Sequence, residues 1–401
     1  MGIIKAKENI FYVGVLDKDL RVFDIVMYTE YGTTYNSYLV KGEGKTVLFE
    51  TVKEKFYDQF AANIKEVCPL AEIDYIVVNH TEPDHSGSLA RLLREAPNAT
   101  VLASSTAITF LKEIINEPFA HQAVTEKDSL DIGGMTLSFI SVPMLHWPDS
   151  MFTYIPEIEA LFTCDSFGCH FAGEPIFNDL MPKEMDFLPA YKYYFDNIIG
   201  PYANPHLVRA LQKIHNLPIS FIGNGHGPVL RSNIQYYLDL YRDWCQVPAK
   251  ADKDVVIAYV SAYGYTKSLA LAIEEGLHEG GISSVRLFDL VIDDLDQAQR
   301  AIAASTGFLL GSPTLLGDAL PPLYAATLAI NPIIHKGKPA GAFGSYAWSG
   351  EGVPNLMSRL EALRMTLPLP GLKVRLKPTE KDLAAAKEFG RTFGAELRME
   401  N

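Results

Sequence analysis

The first 250 positions carry short apolar runs broken by turn residues, and the remainder alternates strand-like runs with helix-like ones. "NIFYVGV" at 9–15 leads to "TTYNSYLV" (33–40), "KGEGK" and "TVLFETV" (46–52), two β-rich runs around a Gly-containing turn that predict a hairpin. "IDYIVVNH", a helix-like stretch after Ser88, "TVLAS", "LSFISVP", "ALFTCDS" and "ISFIGNGHG" follow. Four of these runs lead into a residue of ligand type: His80, His146 (three positions beyond "SVP"), Asp165 and His226. In sheet-based folds, sites gather at one end of the strands, where loops reach solvent.

The polar, Pro-containing stretch "VPAKADKD" (247–254) marks a boundary between two organised regions, predicting domains at 1–249 and 254–401. Beyond it come "DVVIAYV", a helix, "SVRLFDL", a polar helix, "TGFLLGSPT", a helix, "AGAFGSYAW", a helix from about 353, "KVRLKPT" and a last helix. Strand–helix alternation of this kind predicts a doubly wound parallel sheet with helices on both faces.

Composition narrows the function classes. A chain of 401 residues with 48% apolar and 21% charged positions has material for two or three cores. Its net charge of −13 argues against a nucleic-acid partner, which would require a basic face. The start, "MGIIKAKENIFYVGV", lacks the basic-then-apolar pattern of a signal peptide, and no apolar run approaches the ~20 residues of a membrane span. The four cysteines, Cys68, Cys164, Cys169 and Cys245, form no CxxC pair, so neither structural disulfides nor an iron–sulfur module is expected. A cytoplasmic protein with no membrane attachment is the expectation.

"VVNHTEPDHSGS" (77–88) holds the densest chemistry, with His80, Glu82, Asp84 and His85 in six positions. Acids and imidazoles so close together need partners once water is removed. With His146, Asp165 and His226 they make seven donors, enough for two metals with three terminal ligands each and one bridging carboxylate. The spacing resembles the metallo-β-lactamase superfamily, whose His-x-His-x-Asp-His loop is followed by a distant His, an Asp and a final His. Here the second His of that loop is Glu82, and exchanging imidazole for carboxylate shifts preference from zinc toward iron or manganese. Of the remaining histidines, His121, His206, His215, His278 and His335 read as structural, while His170 is a candidate to orient a ligand.

A second site is predicted at "AYVSAYGYTKSLA" (258–270), a strand, a hydroxyl-rich loop and a helix. Ser261, Ala262, Tyr263, Gly264, Tyr265 and Thr266 can surround a phosphate at the helix N-terminus, although the stretch is no Walker A motif. Ser261, Gly264 and Thr266 match the spacing of the flavodoxin phosphate loop. Two later loops fall at the same sheet end: Pro313, Thr314, Leu315 and Gly317 in "GSPTLLGDALPP", and Ser345, Tyr346, Ala347, Trp348, Ser349 and Gly350 in "GSYAWSGEG". Thr314 is a candidate for the flavin edge and Tyr346 and Trp348 for its faces. The alternative for Trp348 is core packing, which its Gly and Ser neighbours disfavour.

Together these parts, with "GTTYNSYLV", "MLHWPDSM", "DSFG" and "AFGSYAWSGE", resemble the flavodiiron proteins (A-type flavoproteins) over nearly the whole chain. The resemblance implies a metallo-β-lactamase-like αββα sandwich followed by a flavodoxin-like FMN domain, and reduction of O2 to water or NO to N2O. It implies that His80, Glu82 and His146 hold one iron, that Asp84, His85 and His226 hold the other, and that Asp165 bridges. It also implies a head-to-tail homodimer (or dimer of dimers) in which the FMN of one subunit serves the irons of the other. Electrons would come from a separate protein such as a rubredoxin, since the chain ends soon after the flavodoxin helix. Many relatives carry a His where "RVFDIVMY" has Asp24, which leaves proton delivery and the O2/NO preference open. Two rivals differ in class: a β-lactamase-like hydrolase with a flavodoxin-like appendage, which Glu82 disfavours, and a non-catalytic electron carrier, which the complete donor set disfavours.

Overall fold

The computed structural model describes residues 4–24, 27–246 and 253–399. Positions 247–252 of the expected boundary stretch lie outside them, as do the first three residues. The chain divides into two compact units, Met1–Val247 and Pro248–Asn401.

The first unit pairs two sheets. One has seven strands in the order Ile4–Lys7, Ile10–Tyr12, Tyr38–Lys41, Thr46–Phe49, Tyr75–Val78, Thr100–Ala103 and His121–Ala123. The other has five: Ser129–Asp131, Thr136–Ser141, Met151–Ile155, Ala160–Cys164 and Phe221–Asn224. The expected hairpin is present, with Tyr38 opposite Phe49 and Lys41 opposite Thr46 in antiparallel register.

The central strands are mostly apolar on both sides because both of their faces are covered. Phe49, Val77, Leu102, Phe162 and Phe221 point into the core between the sheets, where the rings of Phe49 and Phe162 stack 3.8 Å apart. Their neighbours Leu48, Ile76, Val78, Val101, Leu161 and Ile222 belong to a second core with residues of the covering helices, including Phe60, Ile64, Leu111, Leu211 and Tyr241. The period-two alternation thus divides each strand between two apolar layers, which gives the αββα sandwich. Two small ribbons were not foreseen in the sequence: Val15–Asp17 with Thr33–Tyr35, and Val22–Phe23 with Met27–Tyr28. They bring Phe23, Asp24, Thr33, Thr34 and Tyr35 to the site described below.

The second unit is a five-stranded, all-parallel sheet in the order Ser284–Asp289, Asp254–Tyr259, Gly307–Gly311, Ala340–Tyr346, Leu372–Arg375. Its two faces pack separate cores, one with Val256, Ala258, Phe308, Leu310 and Ala342, the other with Val255, Ile257, Leu309 and Phe343. Parallel strands place the loops after Tyr259, Gly311 and Tyr346 at one edge of the sheet. No helix among the described residues is long and apolar enough to cross a membrane.

Candidate metal centre and flavin loops

The metal donors assemble where the two sheets of the first unit meet. Strand Tyr75–Val78 runs into Asn79 and His80, and Asn79 accepts a backbone hydrogen bond from Met151 of the second sheet (2.9 Å). After Glu82 the chain makes a single helical turn, Pro83–Ser86, with Pro at its start and Asp84 and His85 on it. Thr51 secures that turn by donating from both its backbone N–H and its hydroxyl to the His85 carbonyl, each at 2.7 Å. Asp165 directly follows strand Ala160–Cys164, and His226 lies two residues past the parallel strand Phe221–Asn224. His146 sits on the turn between Thr136–Ser141 and Met151–Ile155.

All seven predicted donors converge in two groups. In the first, His80, Glu82, His146 and Asp165 offer atoms within 4.8 Å of one another; in the second, Asp84, His85 and His226 do the same. Asp165 joins them. Its Oδ2 lies 3.4 Å from His80 Nε2 and 3.2 Å from His146 Nε2, while its Oδ1 lies 2.9 Å from His85 Nε2 and 3.4 Å from His226 Nε2. Glu82 Oε2 is 3.2 Å from His80 Nε2 and 3.0 Å from His146 Nε2, and Asp84 Oδ2 is 3.0 Å from His226 Nε2.

A pair of metal ions fits these residues. Both carboxylate oxygens of Asp84 are buried without a hydrogen-bond partner, a costly state for a carboxylate unless a cation satisfies it. All four imidazoles also turn Nε2 inward. His226 is fixed in that orientation because its Nδ1–H donates to the Thr34 carbonyl at 2.5 Å, and His80 because its Nδ1–H donates to Asp149 at 3.2 Å. Mixed imidazole and carboxylate donors in a buried site favour iron or manganese over a thiolate-loving ion.

The electrostatics show how strongly these groups are coupled. Burial alone would lower the imidazoles of His85 and His146, yet Asp84 and Asp165 around the first, and Asp165 and Glu82 around the second, push both up to about 9. Burial likewise works to raise Asp165, but the surrounding histidines hold it well below the usual carboxylate range. Asp24 stands beside Glu82. Burial, a hydrogen bond to Glu82 and the charges of Glu82 and Asp84 raise its carboxyl to about 6, against the opposing charge of Lys53.

Further residues surround the donors. Asp149 and the Thr34 carbonyl orient ligands, and the Trp147 ring meets His80 edge-on at 5.1 Å. Glu50 lies buried beneath the site, accepts from the Asn79 N–H and has a carboxyl raised by burial to about 7. His170 makes no hydrogen bond to a metal donor. Its Nδ1 meets the Thr33 hydroxyl at 2.9 Å, that hydroxyl lies 3.4 Å from His226 Nδ1, and the His170 ring packs edge-on against His226 at 5.0 Å, so His170 supports His226 through Thr33 and by packing. His121 and His278 bond nearby carbonyls, and His335 Nδ1 accepts from the Asn331 N–H, away from any such donor cluster.

At the second site Gly264 caps helix Tyr265–Glu279 with φ +82°, a conformation that favours glycine, and no atom lies within 4 Å of where its Cβ would be. Gly264 offers the helix no side-chain hydrogen bond, which leaves the first N–H groups of the positive end open to an anion such as the flavin phosphate. Ser261 Oγ accepts from the Lys267 N–H at 3.2 Å. Thr266 is buried, and its hydroxyl faces Ser345 Oγ at 3.0 Å. Ser345 ties the three loops together, since its carbonyl also accepts from the Thr314 N–H (2.8 Å). Thr314 Oγ1 in turn accepts from the Gly352 N–H (3.2 Å). Tyr263 and Trp348 are 80% and 95% exposed, so Trp348 is no core residue. Leu315 and Gly317 share a tight, exposed turn, and Gly350 packs under the Tyr346 ring.

A dimetal centre rich in carboxylate, joined in one chain to a flavodoxin-type cradle, defines a two-cofactor redox protein. Comparison with known proteins agrees. Residues 33–227 match the model of the ODP family beta lactamase, and residues 257–390 match that of flavodoxin. The chain is 40% identical to flavo-diiron protein FprA2 of Clostridium acetobutylicum, covering 99% of this chain and 100% of the relative. Among solved structures, rubredoxin oxygen:oxidoreductase from Desulfovibrio gigas superposes with TM-score 0.74 at 29% identity, over 99% of both chains. The flavodiiron protein of Giardia intestinalis gives 0.72 at 29% identity, over 100% of this chain and 97% of that one. The chain belongs to the flavodiiron proteins. It is an oxidoreductase with FMN and a diiron centre.

Proposed function

We propose that this protein reduces O2 to water, NO to N2O, or both at the diiron centre, taking electrons through FMN from a separate donor protein such as a rubredoxin. The observation that carries the reading is the placement of Asp165, whose two oxygens face two different donor groups. When bound, the two irons and FMN together supply the four electrons that O2 requires and the two that a pair of NO molecules requires. His80, Glu82 and His146 hold one iron and Asp84, His85 and His226 the other, with Asp165 bridging. Phe110, Met144, Trp147 and Tyr202, with Glu113, line an open and mostly apolar cleft of about 550 Å³ at His146, an approach that suits an uncharged diatomic.

Residues 1–249 act as the diiron module and 254–401 as the FMN module. The FMN is held by the 261–266 loop at its phosphate and by the 313–317 and 345–350 loops at its ring. A second copy, arranged head to tail, brings its FMN to the irons. The four free cysteines suit a reducing, cytoplasmic setting. Anaerobic turnover of the donor-reduced protein with O2 and with NO, side by side, tests the proposal. Turnover of at least one is expected. A protein with full iron and FMN content that consumes neither would refute it.

A further inference from the structure

Asp149 lies on the same turn as His146, three residues further along, yet its side chain serves the other histidine of that iron. It is fully buried. Its Oδ2 accepts three hydrogen bonds: from His80 Nδ1–H at 3.2 Å, from the Thr81 backbone N–H at 2.7 Å and from the Thr81 hydroxyl at 2.8 Å. Its own carbonyl is anchored by the Ser104 hydroxyl at 2.8 Å, and two residues on, the Met151 N–H reaches Asn79 at 2.9 Å. The segment bearing one histidine is therefore stitched to the segment bearing the other, and the contact that involves a donor histidine is this carboxylate.

The second donor group is built differently. His226 is oriented by a neutral carbonyl, that of Thr34, and His85 Nδ1 has no hydrogen-bond partner. A carboxylate behind an imidazole fixes its tautomer, makes it a more basic ligand and stabilises the more highly charged metal.

We propose that Asp149 is a positioning residue for the iron at His80, Glu82 and His146, strengthening that iron's binding selectively and lowering its reduction potential. The inference rests on the diiron centre and is independent of whether O2 or NO is reduced.

The full-length, FMN-loaded protein is compared with Asp149→Asn and Asp149→Ala. Asp149 Oδ1 meets no protein donor, so in Asp149→Asn the amide NH2 can occupy that position while the amide oxygen keeps the contact with His80. The readouts are iron content against free iron, the Mössbauer signals of the two irons, and the reduction potential of the centre. Asp149→Asn is expected to weaken one iron by about 10–100-fold, leave the other in place, alter one of the two Mössbauer signals and raise the potential of that iron. Asp149→Ala should do the same more severely. If Asp149→Ala does not fold, Asp149→Asn alone decides. Wild-type iron affinity and potential in Asp149→Asn would reduce Asp149 to a structural tie, and equal loss of both irons would remove the selectivity; either result overturns the proposal.

Discussion

The two cofactor sites of this chain are built on opposite principles. In the first unit the donors are side chains, most of them buried, held by strand ends, a single helical turn and the turn bearing His146, and paired with groups of opposite charge. In the second unit the cradle is largely backbone, on exposed loops after three parallel strands, with a left-handed glycine at the start of the helix. Bare carboxylates and imidazoles are costly to bury, so the metal site must be fully specified by its partners. A phosphate needs only N–H groups and space, so the flavin loop can be open and spare in side chains.

The largest effect that separates the sites is expected at Asp165. Asp165→Ala should cost both irons, each by more than about 100-fold, beyond the 10–100-fold usual for outer partners of a ligand. His146→Ala should empty chiefly one site. Metal analysis and flavin absorbance decide it: FMN content should be unchanged in both variants, and equal partial iron loss in the two would contradict the bridging role. Next comes Glu82→His, which restores the hydrolase-like loop. Zinc should then compete better with iron and reductase activity should fall sharply with the fold intact, as read by metal content and circular dichroism. Unchanged iron and turnover would show that Glu82 is no ligand.

Much of the metal site was legible because ligands are of distinctive residue types at strand ends. His80, Asp165 and His226 each follow an apolar run within two residues of its strand. What supports them was less visible. The Thr34 carbonyl has no signature, since any residue there would offer one. Asp149 did carry a signal, an acid between Pro148 and a strand that is buried throughout, but its partner His80 is 69 positions away. The ribbons that bring Asp24 and Tyr35 to the site are strands of two or three residues, too short for a period to show. In the second unit the strand–helix alternation was fully readable. The inward hydroxyl of Thr266 was not, because a threonine in a first helical turn looks the same whether it faces a ligand or Ser345.

Two smaller effects sharpen the contrast. Gly264→Val forces a branched side chain into a left-handed conformation at a site with no neighbouring group within 4 Å of the new Cβ, a strain of about 1–3 kcal/mol. FMN binding should weaken, as measured by fluorescence titration, while iron content stays at its wild-type level; loss of iron would mean the sites are not independent. The smallest effect concerns pH. In the metal-free protein, the raised imidazoles of His85 and His146 contribute stability that is fully present below their ordinary 6.5 and lost as pH rises through about 9. The Tm of the metal-free first unit should therefore fall across that window, whereas iron keeps the imidazoles unprotonated and makes the loaded form insensitive there. A flat Tm in the metal-free form would show that the donors are not coupled as described.

The central claim is that one chain joins a carboxylate-rich diiron centre to an FMN cradle, and cofactor content tests it most directly. Metal analysis and flavin quantitation on the full-length protein, purified without added metal, should give about two irons and about one FMN per chain. Two zincs and no flavin would contradict the account.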